Sequence, residues 1–350
     1  MSKIGILTFL YNGNYGSCLQ AFALQRALQG MGYDCEHINY KPDNREKVLN
    51  MLRCGNSPKL LMEGFKKKSI KKQQEGLREK DQRILDFYQE NMKLSALCRN
   101  RNELKSTSRE YDILLCGSDQ IWNPTWLNTA YFLDFADAER KRIAYAASLG
   151  VNRVPARRKQ RMIRRRLSLF DAVSVREEEG AKVLVSITGN RPCVMPDPVC
   201  LMTKEEWAAV AGTASEAAPY LLCYFIGENP KYWERVKQLQ AETDLPALVI
   251  PVTEESYSKS EMGLLDGAGP KEFLRAIQGA SLICTDSFHG LAFGTIFQKR
   301  VELIPRDWPD SRESRNSRAE NFCREIHKKG LTQMREEGLA WLREQIEIPE

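Results

Sequence analysis

No run of about 18 apolar residues occurs in the 350-residue chain, so no segment reads as a transmembrane helix. The amino-terminal stretch Met1–Leu7 runs straight into a strand pattern and lacks the layout of a signal peptide. Ten cysteines stand singly, without a Cys-x-x-Cys pair or a close Cys/His cluster. That pattern argues against a structural zinc site or a disulfide scaffold, and for reduced thiols in a cytoplasm. There is no G-x-G-x-x-G, which leaves a dinucleotide-binding reading without support, and no fixed-period repeat. Histidines number only three, so any imidazole chemistry rests on His37, His289 or His327.

What is present is ordinary in bulk, with 42% hydrophobic and 28% charged residues. At this length two domains of about 150 residues are expected. The net charge of +6 is unevenly spread: Val151 to Phe170 holds seven Arg and one Lys and no acidic residue. A second basic cluster comprises Lys66, Lys67, Lys68, Lys71 and Lys72. Such runs form either a solvated helix face or a surface drawn to anions, for example an anionic membrane leaflet or a diphosphate-linked carrier lipid. No nucleic-acid motif accompanies the charge, and interleaved aromatics are missing, so no nucleic-acid partner is expected.

Strand and helix patterns alternate twice over. Lys3–Phe9 predicts a strand, Leu10–Gly16 a loop, a helix starts near Ser17, and Asp34–Tyr40 is the next strand. Residues 59–94 predict one or two charged helices. Asp112–Cys116, Arg142–Ser148 and Asp171–Val175 follow as strands. The proline-rich stretch Cys193–Pro198 suggests an interdomain passage. Strands then recur at Tyr220–Ile226, Ala247–Pro251 and Ser281–Thr285, with helices between them. The expectation is an α/β protein with two parallel-sheet domains facing a cleft: 1–195, 196–330, and a helix in 331–350 that packs back on the first.

The densest polar stretch is Gly117-Ser118-Asp119-Gln120-Ile121-Trp122-Asn123, directly after the Asp112–Cys116 strand. In open α/β sheets ligands bind at that end of a strand. A capped strand-to-helix turn is the alternative, since Ser118 and Asp119 are good N-caps. His289 also follows a strand, in Asp286-Ser287-Phe288-His289-Gly290, and opens an apolar helix. Imidazole exchanges protons near neutral pH, a helix start attracts anions, and Gly290 keeps the backbone small. Asn12, Asn14, Gly16 and Ser17 form another anion-capable turn or a plain loop. Arg176 suits a carboxylate or phosphate, or else a surface ion pair. Arg306, Arg312, Arg315, Asn316, Ser317 and Arg318 add cations and polar groups near the chain's second half.

Taken together, these pieces resemble the polysaccharide pyruvyl transferase family. The matching segments are Asn14-Tyr15-Gly16-Ser17 with Leu19-Gln20-Ala21, Gly117–Pro124, Ser174-Val175-Arg176-Glu177, Asp197-Pro198, Thr285–Gly290 and Asn316-Ser317-Arg318. The resemblance implies a GT-B-like fold of two Rossmann-like domains. It implies transfer of pyruvate from phosphoenolpyruvate to two hydroxyls of a sugar, giving a cyclic ketal, with no metal or redox cofactor. By the same resemblance His289 is the general acid/base, with Asp119 or Asp286 orienting it or accepting a sugar proton. Arg176 and Arg318 would meet the donor's anionic groups, and Asn14, Ser118, Gln120 and Asn123 would hold sugar or phosphate oxygens. Many members carry an Arg where this chain has Ser287, which passes phosphate binding to Arg306, Arg312, Arg315 or Arg318. A nucleotide-sugar glycosyltransferase and a non-catalytic carbohydrate-binding protein are the other readings. The expected acceptor is a sugar or lipid-linked oligosaccharide at the inner membrane face.

Overall fold

In this computed structural model residues 2–57, 74–212, 218–306 and 317–347 are described. The Lys66–Lys72 cluster and the candidates Arg312, Arg315 and Asn316 lie outside them. The chain forms two compact units. The first takes Met1–Gly64, Tyr88–Leu201 and Cys323–Glu350, and the second Phe65–Phe87 and Met202–Phe322. This differs from the partition 1–195 and 196–330: Phe65–Phe87 groups with the second unit, and the crossings fall at Leu201 and Phe322.

In the first unit the elements run β1 (Lys3–Leu7), α1 (Tyr15–Gly30), β2 (Asp34–His37) and α2 (Asn44–Cys54). Helix α3 (Glu75–Asn91) enters from the second unit, followed by α4 (Arg101–Ser108), β3 (Ile113–Cys116), β4 (Lys141–Ala147), α5 (Arg157–Leu167), β5 (Ala172–Val175), α6 (Glu178–Thr188) and β6 (Cys193–Val194). The sheet order is β2-β1-β3-β4-β5-β6, with every pairing parallel. The Cys193–Pro198 stretch is therefore not a passage between domains, because Cys193 and Val194 pair with Ser174 and Val175 as a sixth strand. Two residues between prolines carry no periodic signal, which hides such a strand from sequence.

Helix α1 starts two residues earlier than expected. The Asn14 side chain accepts the Gly16 and Ser17 amides at 2.8 and 3.4 Å, satisfying donors that a bare helix end would leave open. Parallel strands are covered on both faces, and alternate residues of β3 show it. Leu114 and Cys116 join a cluster with Trp122 and Phe132, whereas Ile113 and Leu115 pack with Leu24, Leu28, Trp341 and Leu342. Each fully buried Leu or Ile contributes roughly 1.5–3 kcal/mol of transfer free energy. Trp341 and Leu342 belong to α11 (Ser317–Glu347), which is broken at Gly330, where φ is 75°.

The second unit continues with α7 (Lys204–Ala211), β7 (Leu221–Tyr224), α8 (Pro230–Thr243), β8 (Ala247–Val249), α9 (Pro270–Gly279), β9 (Leu282–Thr285), α10 (Phe288–Ile296) and β10 (Arg300–Leu303). Its sheet, in the order β10-β9-β7-β8, is again all parallel. One core cluster unites Cys223, Val249 and Cys284 with Trp233 and Val236 of α8. Elsewhere in this unit Phe293 meets Trp207 and Phe273 edge to face. The strand order reverses between β1 and β3 in the first sheet and between β7 and β9 in the second. Such switch points open a crevice at the strands' carboxyl ends.

His37 closes β2 in full burial, its Nε2 3.0 Å from the Ala21 carbonyl. Burial pushes its pKa down from 6.5 to about 4. The unfolded chain therefore binds a proton that the folded chain refuses until about pH 4. Stability is complete above pH 6.5 and falls as pH drops from 6.5 toward 4. His37→Gln keeps the donor and removes the titration. Between about pH 7 and pH 4 the wild type is expected to lose about 3 kcal/mol more unfolding free energy than this variant, measured by chemical denaturation.

Candidate active site

At the first switch point the loops after β1 and β3 are tied by side chains. Asn12 donates to Ser17 Oγ at 2.7 Å, and Ser17 Oγ donates to Asp119 Oδ2. The other oxygen, Asp119 Oδ1, accepts the Gln120 amide at 2.8 Å. Asp119 sits at φ 65°, in the left-handed region that Asp tolerates better than most residues. Gly117, at φ 121°, is obligatory, since a Cβ there would lie 2.1 Å from the Tyr145 carbonyl oxygen. The absence of a side chain there allows the backbone's close approach to β4.

Ser118 and Trp122, expected as substrate contacts, are interior residues. Ser118 is fully buried, donates to the Ala146 carbonyl at 2.6 Å and gives its amide to Gln20 Oε1 at 2.9 Å. Trp122 stacks on Phe132 and donates to the Tyr131 carbonyl at 3.0 Å. The polar density of this stretch therefore serves the turn as much as any ligand. Gln120 and Asn123 bond to one another at 2.9 Å, and Asn123 Oδ1 accepts the Thr125 amide.

Arg176, expected to receive the donor's anions, is buried at the end of β5 among carboxylates. It pairs with Asp197, and its guanidinium lies 3.8 Å from Asp119 and 3.9 Å from Glu177. Burial alone would lower its pKa, but the three carboxylates outweigh that and raise it. A further anion entering beside three carboxylates would meet net repulsion, so Arg176 orients the loop carboxylates instead of receiving the donor. Glu177 is held in turn by Ser148 Oγ at 2.8 Å. Asp197 and Glu177, within the matching segments, carry no expected role of their own yet complete this centre. Their signal was Arg176 itself, because a buried guanidinium requires counter-charges.

At the second switch point Asp286 is saturated. Its Oδ1 accepts the Ile226 amide at 2.7 Å, and its Oδ2 accepts the Gly227 amide, the Tyr232 hydroxyl and Arg306 Nε at 2.8–2.9 Å. A fully buried carboxylate with four donors is a scaffold group, which corrects its expected part in proton transfer. Ser287 caps α10 by accepting the Gly290 amide at 3.3 Å. Gly290 is needed by packing, since a Cβ would lie 2.6 Å from Thr285 Oγ1. His289 lies in the first turn of α10, nearly buried, its ring edge to face with Phe288 at 5.0 Å. Arg318, in the first turn of α11, is half-buried. Among the described residues no three His, Cys, Asp or Glu side chains are grouped to hold a metal ion, and no helix is long and apolar enough to cross a membrane.

Comparison with curated proteins gives no match. Among solved structures, the UDP-GlcNAc 2-epimerase of Neisseria meningitidis bound to UDP-GlcNAc has 11% identity and a TM-score of 0.53, covering 99% of each chain. The UDP-N-acetylglucosamine 2-epimerase of Rickettsia bellii has 9% identity and a TM-score of 0.53, with 99% of this chain and 96% of that chain covered. At such identities the likeness shows the fold, an α/β architecture of the GT-B type. The family model for polysaccharide pyruvyl transferases matches residues 14–306, from the cap of α1 to the Arg306 that clasps Asp286, and the chain belongs to that family.

Proposed function

We propose that the protein transfers pyruvate from phosphoenolpyruvate to two hydroxyls of a sugar, forming a cyclic ketal and releasing phosphate, on a sugar or lipid-linked glycan. The observation that carries this reading is the family match, which spans both switch points and includes His289 in the first turn of α10. In this chemistry His289 gives a proton to the donor's methylene carbon. One sugar hydroxyl attacks the resulting cationic carbon and loses its proton. The carbon–oxygen bond to phosphate breaks, and the second hydroxyl closes the ring with loss of its own proton. Positioned acid–base groups of this kind contribute about 10²–10⁴-fold.

For the donor phosphate, Arg306 is the proposed contact. Asp286 holds its Nε at 2.9 Å, which fixes the guanidinium plane beside the His289 segment. This supplies a cation by a different route where Ser287 replaces the family's frequent Arg, because Ser287 itself is buried and occupied as a helix cap. Asn14, Gln120, Asn123 and Arg318 are the further proposed contacts to substrate oxygens.

Calorimetric titration with phosphoenolpyruvate, run beside uridine and guanosine diphosphates, tests the donor. Phosphoenolpyruvate is expected to bind, and Arg306→Lys to weaken it about tenfold by losing the guanidinium fork. His289→Ala is expected to retain binding while turnover falls by about 10²–10⁴. Binding of a nucleotide in place of phosphoenolpyruvate, or unchanged turnover in His289→Ala, would overturn the reading. Asp286→Asn removes the charge of the buried carboxylate that gathers Arg306, Tyr232 and the Ile226 and Gly227 amides, and a loss of about 3 kcal/mol in unfolding free energy is expected in a denaturant titration.

A further inference from the structure

Helix α2 is built inside out. Its buried side is largely polar: beside Cys54, Glu46 pairs with Arg53 at 3.2 Å, and Asn50 donates to the Leu127 carbonyl at 3.0 Å. Its outward stripe is apolar, with Val48, Leu49 and Leu52 exposed at 42%, 42% and 64%. Those positions lie on one face of a helix, in line with the exposed Arg45. A surface helix that packs only on its own domain turns its apolar stripe inward. Trp126, 44% exposed, lines a groove of about 260 Å³ together with Lys47 and Met51 of α2.

The cationic helix α5 adjoins this stripe. A Cβ on Gly55, which ends α2, would lie 3.2 Å from the Arg158 guanidinium, and Lys159 donates to Asn56 Oδ1 at 3.0 Å. Arg158, Arg161 and Arg165 follow one face of α5, are exposed, and have no acidic partner among the described residues. By contrast Arg166, on the inner side, is paired with Asp134 at 2.8 Å.

We propose that α2, Trp126 and the outer face of α5 form a single surface that docks on an anionic lipid bilayer. An apolar helix stripe with an aromatic beside it settles at the boundary between head groups and acyl chains. Unpaired arginines alongside it are attracted to anionic head groups. A second copy of the chain is a poorer occupant. A two-fold contact through this face would bring the two arginine helices toward each other, cation against cation. The proposal is independent of the reaction assigned above, since it concerns only where the first unit is held.

The test is co-sedimentation with vesicles of phosphatidylcholine alone and of phosphatidylcholine mixed with phosphatidylglycerol. The wild type is expected to bind the mixed vesicles at least about tenfold more tightly, with binding that weakens as salt rises. Leu49→Ser/Leu52→Ser and Arg161→Glu/Arg165→Glu are each expected to lower the partition coefficient about tenfold, with melting temperatures unchanged because all four side chains are exposed. Failure of the wild type to co-sediment, or full binding by the Leu49→Ser/Leu52→Ser variant, would overturn the proposal. So would a wild-type dimer in sedimentation velocity that this variant converts to a monomer, since the face would then belong to a second copy.

Discussion

Much of the first unit's site depends on one buried guanidinium. Arg176 stands at the end of β5 with almost no access to water, and a charge so placed is strongly destabilising unless opposite charge surrounds it. The chain meets that demand from three places: Asp119 after β3, Glu177 beside Arg176 itself, and Asp197 after β6. Three strand ends are thereby held to a common centre. Asp119 carries the constraint onward, because its second oxygen is held by Ser17 at the start of α1. The cap of α1 and the loop after β3 thus form one network, with Asn14 and Asn12 at its outer edge.

The second unit solves the same geometric problem with the charges reversed. There the buried ion at the centre is a carboxylate, Asp286, and its four donors come from the loop after β7, from α8 and from the segment after β10. In both units an aspartate beyond a strand's end spans the point where the strand order reverses. The resemblance ends there. The Asp286 side chain is wholly enclosed, which suits it to hold Arg306, whereas the Asp119 side chain keeps slight exposure beside a hydroxyl. That difference in environment separates a carboxylate wholly enclosed among its donors from one that keeps an edge at the surface.

The alternation of strand and helix was legible from periodicity, as was the clustering of polar residues at the ends of β3 and β9. Individual roles were less legible, for a physical reason. Composition reports which groups are polar, not which are already bonded, and a tight strand-to-helix turn needs many such bonds. Ser118 and Trp122 carry the signature of ligand contacts yet are committed to the Ala146 and Tyr131 carbonyls. Gly290 is small because Thr285 lies against it. Arg176 stands out at a strand's end, but an isolated arginine in a sequence does not show the carboxylates that long-range contacts will bring to it.

Helix α2 shows the same limit from the opposite direction. A stripe of Val48, Leu49 and Leu52 is what a core-facing helix presents, and hydropathy alone would turn it inward. What decides its orientation is the polar side. Asn50 bonds to the Leu127 carbonyl and the Thr129 amide, and Glu46 holds Arg53. The buried Thr129 amide would lose its Asn50 acceptor if α2 rolled to hide its leucines, and an unpaired buried peptide group costs about 1–3 kcal/mol. Satisfying the loop therefore fixes the helix with its apolar face outward. An exposed apolar stripe of that kind is what the proposed bilayer contact would cover.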